Sequence, residues 1–61
     1  MEKILEKIKK LKVQSNWIET SRFISIISPL SSYPIGDIIY LIRENIIERV
    51  VDESVDIIKF I

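Results

Sequence analysis

The chain has 61 residues and a formal net charge of zero, with nine Lys plus Arg against nine Asp plus Glu, and neither Cys nor His. A chain this short forms one domain and buries only about 60% of the surface that its unfolded form exposes. Without Cys or His it has no disulfide staple, lacks the usual zinc ligands, and lacks the commonest general base and strongest nucleophile of enzyme chemistry. The serines have no basic partner at a recognisable spacing, and Gly36 is the sole glycine, so no phosphate-cradling loop can be written. No catalytic residue, cofactor, metal or small-molecule substrate is expected.

Charge is divided unevenly along the chain. Residues 1–22 carry Lys3, Lys7, Lys9, Lys10, Lys12 and Arg22 against Glu2, Glu6 and Glu19, a balance of +3. Residues 23–61 carry Arg43, Arg49 and Lys59 against Asp37, Glu44, Glu48, Asp52, Glu53 and Asp56, a balance of −3. Attraction to phosphate must therefore come from the front third. The stretch Phe23–Ile42 is long enough for a membrane span, but Pro29, Pro34, Asp37 and four serines interrupt it. The N-terminal stretch is charged and amphipathic, unlike the apolar segment of a signal peptide. A soluble, cytoplasmic protein with no membrane span is expected, and the lack of cysteine fits an intracellular one.

In chain order, Met1, Ile4, Leu5, Ile8 and Leu11 recur at helical spacing and predict a first helix, with Glu6 and Lys10 as an i,i+4 pair. Its lysines read first as a solvated face, and second as a strip for phosphate or an acidic partner. Val13–Asn16 breaks the pattern. Asn16 then caps a helix from Trp17, with Glu19 closing a capping box, or Trp17–Glu19 is extended and Thr20 caps a helix from Ser21. The second arrangement is favoured because it gathers Phe23, Ile24 and Ile27 into one stripe. Ser28-Pro29 ends this helix.

Leu30–Tyr33 is a turn with Ser31 and Ser32 as capping residues, and Pro34 suits the first position of a third helix reaching about Glu44. Gly36 near its start costs helix stability and marks a close backbone approach. Asn45 is a residue type that readily takes the left-handed conformation that ends helices. Beyond it the chain is rich in β-branched residues, split by Asp52-Glu53-Ser54, which predicts strands at Ile47–Val51 and Val55–Phe60. The rival is an all-α bundle whose last helix runs through Ile46–Val55; only there would Glu44, Glu48 and Asp52 align as an acidic ridge.

Three segments, TSRFISIIS, SSYPIGDIIYLIREN and RENIIERVVDESVDIIKFI, together resemble the winged helix-turn-helix superfamily over nearly the whole chain. Pro29 is an extra residue in the turn between its second and third helices, and Asn45 stands where glycine is most common. The resemblance implies a mainly α domain of three helices with a small C-terminal β-hairpin, and DNA binding through the third helix. Contacts would then come from Lys9, Lys10, Lys12, Ser31, Ser32, Tyr33, Tyr40 and Arg43. The charges point elsewhere: the outward positions of helix 3 include Asp37 and Glu44, and Asp52, Glu53 and Asp56 lie about the wing tip.

The favoured expectation is a protein-interaction or oligomerisation module, a use to which winged helices are also put, with a small DNA-binding regulator as the alternative. Helix 3 carries more isoleucine than one buried stripe needs, and the last strand reads as an apolar edge. The candidate interface is Tyr33, Ile35, Ile39, Tyr40, Phe60 and Ile61, the partner being another protein or a second copy through helix 1 or the last strand. Trp17 is read as core in preference to interface.

Overall fold

A computed structural model describes all of residues 1–61. The element order is α1 (Glu2–Gln14), β1 (Trp17–Glu19), α2 (Thr20–Ile27), a single 3-10 turn (Ser28–Leu30), α3 (Pro34–Arg43), β2 (Ile47–Asp52) and β3 (Val55–Phe60). The protein is thus mainly α with a small antiparallel sheet, compatible with a winged-helix layout. The all-α alternative fails because residues 47–60 are paired strands. No single helix is long and apolar enough to cross a membrane.

The amphipathic pattern of α1 buries Ile4 and Ile8 and packs Leu5 and Leu11 against the core. Met1 was expected on that face, but it occupies the N-cap and is exposed. After α1 the chain extends, and Trp17–Glu19 pairs with β3 in the register Ile18↔Ile58. The expected two-stranded ribbon is therefore a three-stranded sheet of order β1-β3-β2. This makes β3 the central strand, with neighbours on both sides. The edge expected at the last strand belongs instead to β1 and β2.

Thr20 does not cap α2 but is its first helical residue, buried, with its hydroxyl committed elsewhere. Phe23 and Ile27 supply the buried face of α2, and the Phe23 ring meets Phe60 edge-on with centroids 6.1 Å apart. At Ser28 the chain keeps helical angles despite the following proline, and tightens into the 3-10 turn instead of stopping outright. The segments Thr20–Leu30 and Pro34–Arg43 are bent 112° from one another.

Helix α3 begins with Pro34 in its first turn, where its missing N–H costs nothing. Ser31 and Ser32 do not cap it; Tyr33 holds the N-cap position. Its other end is a full Schellman motif. Asn45 takes φ 57 and donates its N–H to the Ile42 carbonyl (3.1 Å), while the Ile46 N–H bonds the Leu41 carbonyl (3.0 Å). That reversal launches β2, which runs antiparallel to β3 from Ile47↔Phe60 to Asp52↔Val55 around the turn Glu53-Ser54. Glu53 has φ 47, a conformation that a residue with a Cβ adopts at a cost.

The core is ten buried apolar residues drawn from every helix and strand: Ile4, Ile8, Ile18, Phe23, Ile27, Ile38, Leu41, Ile47, Ile58 and Phe60. Strand alternation decides which hairpin residues join it. Ile47, Arg49 and Val51 share one face of the sheet with Asp56, Ile58 and Phe60, and this face turns toward the helices.

Candidate interaction groove

Helix α3 presents two apolar stripes. Ile38 and Leu41 point into the core, whereas Ile35, Ile39 and Ile42 follow at i, i+4, i+7 on the neighbouring side. A helix packs about 100° of its circumference against one core, so the second stripe has no partner within the domain. Ile35 and Ile39 are each 50% exposed. They form one wall of an open groove of about 940 Å³, whose other apolar lining comes from Ile24 of α2, Val55 and Ile57 of β3, and Trp17 of β1. Trp17, expected in the core, is 51% exposed at this groove because its neighbour Ile18 takes the inward position of a three-residue strand.

One polar cluster sits among these residues. Arg49 of β2 donates from Nε and Nη2 to the two carboxylate oxygens of Asp56 on β3, at 3.0 and 2.7 Å. The Thr20 hydroxyl, at the start of α2, donates to Asp56 Oδ1 at 2.6 Å. The fork from Arg49, with the Thr20 hydroxyl adding to it, lowers the Asp56 pKa from 3.8 to about 2, and the pairing raises that of Arg49. Both charged side chains are about half exposed, so solvent screens most of their mutual attraction. The cluster ties both hairpin strands to α2, and its carboxylate neutralises the one base that lines the groove. Asp56 is therefore not a free charge at the wing tip; Asp52 and Glu53 are.

The remaining candidate residues fall into separate groups. Tyr33 at the N-cap of α3 and Tyr40 on the helix itself stand exposed. A Cβ on Gly36 would collide with the Tyr33 ring, so the ring lies across the helix backbone and the close approach signalled by this glycine is to Tyr33 itself. Ser31 Oγ accepts from the Tyr33 N–H (3.0 Å) and donates to the Asp37 carboxylate, building the turn; Ser32 is exposed. Arg43 is exposed at the end of α3. Lys9 and Lys10 are exposed on α1, while the Lys12 ammonium donates to the Ile61 carbonyl. Ile61 is exposed; Phe60, a candidate for the interface, is a core residue only 8% exposed, because it sits on the inward face of the central strand. Glu44, Glu48 and Asp52 do not align, since the chain turns at Asn45 between the first and the others.

Two features escaped sequence reading. The Arg49–Asp56 pairing was in principle legible: a turn at residues 53–54 puts these positions diagonally opposed on one sheet face. The recruitment of Thr20 and Trp17 was not, because it depends on β1 pairing with β3 across nearly the length of the chain. Comparison of the sequence and fold with protein-family models, curated proteins and solved structures finds no match.

Proposed function

We propose that this chain is a non-enzymatic protein-interaction module on a winged-helix-like scaffold, with the groove beside α3 as its contact surface. The element order, the sheet order and the 112° bend between α2 and α3 support the scaffold, since the paired helices of helix-turn-helix proteins cross at about 90–120°. The observation that carries the function is the unpartnered stripe Ile35, Ile39 and Ile42, facing a hairpin whose only groove base is already paired. Contiguous exposed apolar surface of this kind marks protein contact sites. DNA affinity, by contrast, comes mainly from unpaired Lys and Arg against phosphates.

DNA binding through α3, with the α1 lysines supplying attraction, is the second reading; the exposed Lys9 and Lys10 favour it. A salt titration against random duplex DNA separates the two. The adaptor reading expects no salt-sensitive association at micromolar protein. Micromolar binding that collapses as salt rises, and weakens in Lys9→Glu/Lys10→Glu, would establish the regulator instead.

A further inference from the structure

The sheet has an open edge along β2, whose use does not depend on the groove. In an antiparallel sheet each residue points its N–H and C=O to one side of the strand, and successive residues alternate. Ile46 accepts from the Ile61 N–H (3.1 Å), and Asp52 faces Val55 across a two-residue turn, so the even-numbered residues of β2 bond to β3. The odd-numbered ones point outward, where β2 has no neighbour. Ile47 is buried there, but Arg49 and Val51 are exposed, and the N–H and C=O of both are left without a partner. The opposite edge offers less: β1 has three residues, and the outward Trp17 N–H is already donated to Ser15 Oγ (3.3 Å). We propose that the β2 edge takes up an extended segment of a partner protein as a further strand, one in which lysines or arginines alternate with apolar residues.

The composition of that segment follows from the outer half of the hairpin. Residues 49–56 hold Asp52, Glu53 and Asp56 against Arg49 alone. The forked pair cancels Arg49 against Asp56. Asp52 and Glu53 keep no base opposite them, since Asp52 faces Val55 and Glu53 stands in the turn. Lys59 does lie opposite Glu48, but that is four residues of strand from Asp52, about 13 Å at an extended rise and more than the Debye length at 0.1 M salt. Arg43 precedes β2 at that same distant end, and Arg22 lines a small pocket on the β1 side of the sheet. An incoming strand therefore sets its bases on the outer face, toward Asp52, and its apolar residues on the inner face, toward Val51. A second copy of β2 would bring the same carboxylates and no free base. Charges of this kind deter edge-to-edge pairing of copies, and they attract a basic strand.

Two synthetic peptides of about eight residues, valine alternating with lysine or with glutamate, are titrated against the whole protein, and amide hydrogen exchange is read residue by residue. The lysine peptide should slow exchange at Arg49 and Val51 and leave Val50, already bonded to β3, little changed. It should bind about tenfold more tightly than the glutamate peptide at low salt, with the gap closing as salt rises. Val51→Pro removes one outward N–H without breaking the ladder to β3, so binding should be lost while circular dichroism stays native. Should proline disturb the hairpin, Asp52→Asn/Glu53→Gln leaves the backbone intact and should erase the preference for lysine. Ile39→Glu, on the groove, should leave the edge response unchanged, so that failure of the groove and failure of the edge are told apart. Equal affinity for the two peptides, or no protection of Arg49 and Val51 at millimolar peptide, would overturn the proposal. Protection of those amides that rises with protein concentration alone would name a second copy as occupant and overturn it too.

Discussion

The interior and the groove are built from the same residue, and they meet along one helix. On the inner side of α3, Ile38 and Leu41 join Phe23, Ile27, Ile47 and Ile58 in a closed cluster; on the next side, Ile35, Ile39 and Ile42 face solvent. Identical hydrophobicity thus has opposite fates three or four residues apart. What separates them is the number of layers. Three helices and three short strands enclose one interior, and an apolar stripe that points past its rim finds nothing to cover it. Isoleucine content measures how much a chain would bury, and the topology decides how much it does.

Truncation is the strongest way to break the comparison. Phe23→Ala removes a fully buried ring and should cost about 3–5 kcal/mol. A single core of this size rarely supplies more than about 3–5 kcal/mol in total, so this variant is expected to be largely unfolded by circular dichroism. Ile39→Ala, made in the same helix-and-sheet surroundings, should shift stability by only about 0.5 kcal/mol or less in a urea melt. Comparable losses at the two positions would erase the distinction between core and groove.

Acid probes the polar seam between the two regions. Asp56 carries a depressed folded-state pKa, about 2 against 3.8 ordinarily, so the stabilisation it contributes is fully present above the ordinary value. It is lost as pH falls through that of the folded state. An acid titration followed by thermal melting should show a decline between about pH 4 and pH 2 that is reduced in Asp56→Asn. An unchanged decline in that variant would mean that the fork to Arg49 and Thr20 does not couple the hairpin to α2.

A smaller gain is expected at the hairpin tip. Glu53 holds φ 47, and Glu53→Gly removes the Cβ from that conformation, raising stability by about 0.5–1 kcal/mol in denaturant melts. The smallest effect concerns Gly36. Gly36→Ala favours the helix by about 0.5–1 kcal/mol, but the new methyl displaces the Tyr33 ring. Tyr33 is 67% exposed and can swing aside, so the expected outcome is an unchanged or slightly raised melting temperature with shifted Tyr33 ring resonances.

Local signals were legible wherever a residue's chemistry acts within one turn of chain. Pro34 opens α3, Asn45 closes it through two backbone hydrogen bonds, and Val55–Phe60 is a strand as its β-branched run predicts. The misreadings share a different origin. Thr20 has the chemistry of a cap, yet it bonds Asp56, 36 positions away in the chain. Trp17 has the bulk of a core residue, yet a strand of three places alternate side chains outward. Phe60 resembles an apolar end, yet it lies on a central strand.

The sequence by itself determined the helices, the left-handed stop and the hairpin, along with a charge distribution that leaves the second half acidic, because periodicity, backbone preference and charge are properties of neighbouring residues. Only the tertiary structure decided that β1 would add itself to the hairpin, that one stripe of α3 would be sealed and the other left open, and that Arg49 would be neutralised beside it. Those outcomes depend on which distant segments meet, and a domain with a single interior settles that by burying the largest set of side chains that fits.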